Sequence, residues 1–385
     1  MKHRHFEELQ PVCPSCKMHG LGMFELEVGW VGRETVDGIA EGGLYCTNPE
    51  CRAEFPIIDG LPVIVPDARA FLADNVFQFL IRDDLDGRIE ALLGECSGPG
   101  SAYDTIRVQI GSYAWDHYAE FAGTSGTSGA PGTSAASATS ATSATPNSSI
   151  PGSEGSGSLR RAFHHLEALV PEPPTGPVLE IGCSVGGLTL EAGARSDDLV
   201  LGIDLNVPMI RIAKRALDTG VARFPVRKSG LVYDHREVPH PFGPCDNVDF
   251  WIADAHVLPF RGDRFARSLA LNVLDSTMSP LDVLRSLVEV TRPGGLLYLT
   301  TPYDWSGAVT PPEAWLGGHS PRAPGGGDPA WVLRSLLTPG AHPASLESTS
   351  IVGERDSLPW TVRMHERSRS EYAMHGVVVR VDGSN

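Results

Sequence analysis

One stretch constrains the fold more than any other: Val178-Leu179-Glu180-Ile181-Gly182-Cys183-Ser184-Val185-Gly186-Gly187-Leu188-Thr189-Leu190. Val178, Leu179 and Ile181 suit a strand covered on both faces. Gly182 and Gly186 let the backbone turn sharply and approach a ligand closely. Thr189 and Leu190 open a helix. Alone, E-x-G-x-S-x-G is a loose pattern. About twenty residues on, Val200-Leu201-Gly202-Ile203-Asp204 is a second buried strand that ends in a carboxylate, where a ribose-binding acid stands in a nucleotide fold.

The alternation of strand and helix continues. Asn206 can cap a helix over 207–218. Residues 224–240 are polar and strand-prone and predict an inserted hairpin. Residues 248–255 predict a third strand ending in Asp254, and 265–275 a fourth. A helix over 280–291 and a Pro293-Gly294-Gly295 turn lead into a fifth strand over 296–300. This order predicts an α/β fold with a doubly wound, mostly parallel sheet.

A second signal lies near the start. Cys13-Pro14-Ser15-Cys16 and Cys46-Thr47-Asn48-Pro49-Glu50-Cys51 form two knuckles, and four thiolates in two tight turns suit tetrahedral zinc. With every position filled by thiolate, the site is expected to be structural rather than catalytic. Residues 54–65 predict a hairpin with Asp59-Gly60 at its turn. The expected organisation is a zinc-ribbon-like domain over 1–66, a helical connector over 67–121, a disordered Gly/Ser/Thr/Ala/Pro linker over 122–158 and the α/β domain over 159–385. Ser158 can cap a helix running to Leu169. In the connector, Trp115, Tyr118 and Phe121 are either core residues or a lid over a ligand. His117 adds little to either reading.

The formal charge of −16 argues against general nucleic-acid binding. No segment reaches the apolar length that spans a bilayer. Met1-Lys2-His3-Arg4-His5 is basic, but no apolar signal-peptide core follows it. Together with clustered thiolates among seven cysteines, this predicts a reducing, cytoplasmic setting.

The glycine loop, Asp204, Asp254, Asn272 and the Arg292-Pro293-Gly294-Gly295 turn together resemble the class I S-adenosylmethionine-dependent methyltransferases. The resemblance implies a cofactor site made of Glu180, Gly182, Ser184, Gly186, Asp204, Leu205, Asp254, Ala255 and Asn272. Asp204 would take the ribose hydroxyls. Asp254 would take the adenine amine, with the Ala255 N–H beside it. Ser184 stands where the family more often has glycine or alanine. A nicotinamide dehydrogenase is the weaker reading, because the three-glycine spacing is missing. The four-cysteine segment and the run 55–65 look like the small zinc-binding domain that activates tRNA and protein methyltransferases.

A narrower resemblance concerns the acceptor. Leu271-Asn272-Val273-Leu274-Asp275, Thr300-Thr301-Pro302-Tyr303-Asp304-Trp305, Ala314-Trp315-Leu316-Gly317-Gly318, the Gly182-Cys183-Ser184 loop and a hairpin over 356–366 and 376–381 are similar to the methyltransferase half of ovothiol synthases. Those enzymes N-methylate the imidazole of a mercaptohistidine. The ribbon and the linker are not part of that family, and no sulfoxide-synthase half is present. The resemblance implies a small polar acceptor, an imidazole-bearing amino acid or natural product, with Asn272, Asp275 and Tyr303 lining its pocket. Asp275 either orients the acceptor or caps a helix. Tyr303 and Trp305 either touch the acceptor or pack the loop. Cys183 is either packing or a nucleophile. The alternative function is RNA or protein methylation with the ribbon as recognition module. A partner protein could also dock through the ribbon, which is expected to pack on the catalytic region and shape the acceptor entrance.

Overall fold

The computed structural model describes residues 1–122 and 155–383. Of the expected linker over 122–158, residues 123–154 lie outside the described residues. The chain opens with two short helices, α1 (His3–Leu9) and α2 (Pro14–Met18). An antiparallel meander follows: β1 (Leu26–Glu34), β2 (Ile39–Cys46), β3 (Glu54–Ile58) and β4 (Leu61–Ile64). Asp59 and Gly60 turn β3 into β4, both with positive φ (52° and 79°), as a tight two-residue hairpin requires. Three helices come next, α3 (Ala68–Leu80), α4 (Gly87–Ser97) and α5 (Ala102–Tyr118). The second half alternates α6 (Ser158–Glu167), β5 (Val178–Ile181), α7 (Gly187–Ala194), β6 (Val200–Asp204) and α8 (Val207–Thr219). A separate hairpin, β7 (Val221–Ser229) and β8 (Val232–Pro239), is inserted before β9 (Val248–Ala253). Then come β10 (Phe265–Leu271), α9 (Pro280–Val290), β11 (Thr291–Thr301), α10 (Pro329–Leu336) and a closing hairpin, β12 (Thr349–His365) with β13 (Ser368–Val381).

The strands form one sheet of eleven, in the order β1-β2-β3-β4-β9-β6-β5-β10-β11-β13-β12. From β4 to β11 the pairings are parallel, and β13 runs antiparallel to β11. Parallel strands buried on both faces need near-continuous apolar sequence. β5 and β9 are buried at every position. The reversal of strand order falls between β5 and β10, so a crevice opens beyond their carboxyl ends.

The meander is not set apart from this sheet. Val63 and Ile64 of β4 pair with Ile252 and Ala253 of β9. All four residues of β4 are buried, so the strand needs cover that a small ribbon cannot supply. Polar contacts reinforce the joint. The Lys2 N–H donates to Asp249 Oδ2 (2.8 Å), and His5 Nε2 lies against the carbonyls of Val200 and Asn247. Lys17 Nζ reaches the carbonyls of Leu258 (3.1 Å) and Phe260 (3.2 Å), and the Val12 N–H bonds Pro259 O. No break in hydrogen bonding separates residues 1–66 from the α/β sheet. The ribbon packs on the α/β region by extending its β9 edge, with β6 and β5 between β9 and β10, the strand that leads into Asn272.

Three local expectations also change. The fourth strand stops at Leu271, because Asn272 turns into the left-handed region (φ 55°). The Pro293-Gly294-Gly295 turn lies inside β11, where the register with β10 shifts. Gly157, not Ser158, holds the N-cap position of α6, and the capping carboxylate comes from α5. Asp116 Oδ1 accepts from the Ser158 N–H (2.9 Å) and the Ser158 hydroxyl (2.7 Å), and Oδ2 accepts from the Leu159 N–H (3.3 Å).

Candidate functional site

The glycine loop follows β5 directly. Gly182 (φ 64°), Ser184 (φ 53°) and Gly186 (φ 78°) all sit in the left-handed region. A Cβ on Gly186 would lie 2.6 Å from both Ala213 Cβ and Phe250 Cζ. Gly186→Ala should therefore cost about 1–3 kcal/mol through overpacking and strain, read as a lower denaturant midpoint. An unchanged midpoint would mean that the loop has room the structure does not show.

Asp204, at the end of β6, holds the loop and its own turn. Its Oδ2 accepts from the Ser184 N–H and its Oδ1 from the Asn206 N–H, both at 2.8 Å. Burial raises its carboxyl above the usual range, against the pull of these backbone bonds. Leu205 beside it stays exposed. Glu180 accepts the Thr189 hydroxyl from α7. Burial pushes Glu180 up to about 8. Cys183 is fully buried, and its thiol is raised well above the usual value, so it serves packing rather than attack.

Helix α5 closes over this loop. His117 Nδ1 accepts the Gly187 N–H (3.0 Å), and Tyr118 Oη donates to Val185 O (2.6 Å). Burial lowers His117 to about 4, so the ring stays neutral and can accept. Tyr118 and Trp115 are buried, so this helix is both core and cover. Tyr113, one turn earlier, lies beside Trp360 (ring centroids 6.5 Å), and burial, with the charges of Asp204 and Asp275 adding to it, raises its hydroxyl to about 12. Sequence reasoning passed over His117. Its only signal was a polar ring beside the aromatics of a helix that precedes a glycine loop.

At the end of β9, Asp254 Oδ1 accepts from the His256 N–H (2.9 Å) and from His256 Nδ1 (2.7 Å). His256 Nε2 accepts the Ser279 N–H (3.1 Å), so Nδ1 carries the ring hydrogen. Burial pushes Asp254 up, but the two His256 bonds pull it further down, and it stays a carboxylate. Ala255 is half-buried beside it.

The third group stands at the ends of β10 and β11. The Asn272 N–H bonds Thr300 O, and Asn272 Oδ1 accepts the Thr300 hydroxyl (2.8 Å). Asn272 Nδ2 is buried with no partner among the described residues. A buried amide donor left unpaired is costly, and such groups gather at functional sites. Asp275 is buried, and its Oδ2 accepts the Asp304 N–H (3.0 Å). Burial raises its carboxyl to about 6. Asp275 is not the cap of α9, a role taken by Ser279. Tyr303 also has a positive φ (57°), and its hydroxyl lies 2.7 Å from His375 Nδ1. Trp305 stacks on Trp315 at 6.1 Å. His375 and Glu354, on the closing hairpin, lie just outside the strands expected over 356–366 and 376–381. The signal available was a histidine beside the valine run of β13.

The four thiols of Cys13, Cys16, Cys46 and Cys51 come together within 4.8 Å of one another. Two of the pairs lie at 3.8 Å and 3.7 Å. Corners of a tetrahedron with zinc–sulfur bonds of about 2.3 Å stand roughly that far apart. The Asn48 N–H points at Cys46 Sγ (3.3 Å) and the Cys16 N–H at Cys13 Sγ (3.5 Å), donors that suit thiolate acceptors. These residues can hold one metal ion. Among the described residues no helix is long and apolar enough to cross a membrane.

Residues 179–299, from the first parallel strand of the crevice to the fifth, match the family model described as a methyltransferase domain. The match lies on the central strands, β5 to β11. It is 26% identical over 124 residues to a ubiquinone biosynthesis O-methyltransferase of Histophilus somni, covering 32% of this chain and 44% of the relative. It is 31% identical over 135 residues to the protein of the same name from Roseobacter denitrificans, covering 34% and 43%. The chain thus spans less than half the length of these curated relatives. Among solved structures, a SAM-dependent methyltransferase from Methanosarcina mazei is 18% identical, with a TM-score of 0.37 over 58% of this chain and 97% of that one.

Proposed function

We propose that this protein transfers a methyl group from S-adenosylmethionine to a small polar acceptor. The observation that carries the reading is the unpaired, buried Asn272 Nδ2 just past the carboxyl end of β10, the strand that borders β5 and its glycine loop. The residues fit the cofactor. The loop over 182–186 would take its amino-acid end against backbone, with Glu180 beneath. Asp204 would accept from the ribose, Leu205 would offer an exposed apolar face to the adenine, and Asp254 with the Ala255 N–H would meet the adenine edge. When bound, the cofactor supplies a methyl group on a sulfonium, already a good leaving group. What this chain adds is alignment and exclusion of water. Asn272 would donate through Nδ2, and Asp275 would accept a proton-bearing group of the acceptor.

An imidazole-bearing acceptor fits Asp275, whose carboxyl could hold a ring N–H and leave the other nitrogen's lone pair free. In this reading the four cysteines hold a structural zinc ion, and the ribbon extends the sheet rather than recognising a macromolecule.

Asp204→Ala tests the assignment. Hydrogen bonds to a charged group contribute about 1.5–3 kcal/mol, so the variant should bind S-adenosylhomocysteine roughly 10- to 150-fold more weakly by calorimetry. Equal affinity in the two proteins would place the cofactor elsewhere.

A further inference from the structure

We infer that Tyr303, His375 and Glu354 form a proton relay that ionises a hydroxyl group on the acceptor, so that the acceptor class is a phenol or enol. The inference rests on the proposed methyltransferase reading and, among small polar acceptors, selects a hydroxyl in place of the imidazole.

The geometry is a continuous line. Tyr303 Oη lies 2.7 Å from His375 Nδ1. His375 Nε2 lies 3.2 Å from Glu354 Oε2. Glu354 Oε2 also accepts from Arg334 Nε (2.7 Å). Glu354 has only lone pairs to offer, so Nε2 carries the imidazole hydrogen. Nδ1 is then the acceptor, and the Tyr303 hydroxyl donates to it. Burial pushes Glu354 up, but the bonds from Arg334 and His375 pull it further down, so it remains a carboxylate. Asp356 adds a second negative charge 4.0 Å from His375 Nε2. A proton arriving on His375 would therefore meet two carboxylates, with the Arg334 charge one bond beyond.

The line starts just beyond the end of β11, next to the residue held by the proposed acceptor group Asp275. Thr301, the last residue of β11, pairs with His375 of β13. Tyr303 follows two residues later, and its N–H bonds Thr301 Oγ1 (3.0 Å). The next N–H, that of Asp304, is the one Asp275 holds. Asn272 and Tyr303 have left-handed backbones after neighbouring strands, and strain of this kind collects at functional sites. His375 is 4% exposed and stands between half-buried Tyr303 and Glu354, and a buried imidazole held by a hydroxyl and a carboxylate is costly as mere packing.

The chemistry explains why a relay is present. A neutral imidazole nitrogen has its lone pair free and needs no base before it attacks. A hydroxyl oxygen near neutral pH is a poor nucleophile until its proton leaves. In the relay the acceptor O–H bond breaks and its proton joins Tyr303 Oη. The Tyr303 proton joins His375 Nδ1, and the electron pair of the broken bond stays on the acceptor oxygen. The result is an oxyanion and an imidazolium facing Glu354, and no other reactant is required.

The probe is 4-nitrocatechol, a phenol whose ionisation changes its visible absorption. It is added to the zinc-replete full chain saturated with S-adenosylhomocysteine. The ionisation midpoint of the bound probe should fall by about one pH unit or more, a tenfold change in proton affinity. In His375→Gln and Tyr303→Phe, which keep the bulk of the side chains, the midpoint should return to that of the free probe while the probe still binds. A wild-type complex that leaves the midpoint unshifted overturns the relay. So does an equal shift in both variants, or a failure of the probe to bind at millimolar concentration. Failure of S-adenosylhomocysteine itself to bind would instead overturn the methyltransferase reading.

Discussion

Cys46→Ser should destabilise the protein by more than about 4 kcal/mol, the range reached only when a mutation removes a major structural device. Structural zinc contributes roughly 10–16 kcal/mol to the folding of small metal domains, and one lost thiolate forfeits much of it. In this chain the damage should not stay local. Cys46 closes β2, β2 pairs with β3, β3 with β4, and β4 with β9 of the catalytic sheet. Lys17, one residue past Cys16, holds the carbonyls of Leu258 and Phe260, just beyond Asp254 and His256. Thermal unfolding should thus show one cooperative loss at lower temperature, not a separate melting of a small domain. A strong chelator should shift the wild-type Tm in the same direction and weaken S-adenosylhomocysteine binding. A Tm indifferent to both chelator and mutation would mean that the four thiols hold no metal.

Asp116→Ala should cost about 3–5 kcal/mol at acidic pH. The side chain accepts three hydrogen bonds at the start of α6, and its removal strands two buried N–H groups and a hydroxyl. The effect should depend on pH with a definite sign. Burial raises the Asp116 carboxyl to about 6, against its bonds to Ser158 and Leu159. A group raised on folding contributes its stability fully below its unfolded pKa and loses it as pH rises through the folded one. Roughly 3 kcal/mol should disappear between about pH 2 and pH 8. About half of that falls between pH 5 and pH 8, so the gap between wild type and Asp116→Ala should narrow across that window. Asp116→Asn keeps an acceptor without a charge and should show a flatter profile than wild type. A gap that widens with pH would mean that Asp116 is held ionised.

Much of this structure was legible from residues alone, for identifiable reasons. β5, β6 and β9 are short apolar runs that end in a glycine or an acid, and parallel strands covered on both faces leave that trace. Asn206 caps α8 through the Met209 N–H, a local contact with a local signature. The two cysteine knuckles declare themselves by spacing. What stayed hidden depends on contacts distant in sequence. Leu61–Ile64 reads as a buried strand, but nothing within it names β9 as its neighbour. The His117 bond to Gly187 and the Asp116 cap on α6 both join segments on either side of residues 123–154. Asp275 could be read as a cap or as a site group, and only the position of Ser279 separates the two. His375 faces Tyr303 because β13 runs antiparallel to β11 in a fixed register, a property of the pair and not of either strand.

The parallel pairing of β4 with β9 also bears on how the chain reaches its fold. Residues 61–64 leave the ribosome well before residues 248–253, so β4 must wait with a bare, fully apolar edge while most of the catalytic region is still being made. Contacts so far apart in sequence form slowly, since the intervening loop must close first. The two cysteine knuckles, with a metal ion bound, would offer an early, locally completed anchor for that edge. Supply of metal during synthesis should therefore decide the soluble yield of the protein more than its final stability does, with aggregation competing whenever the anchor forms late.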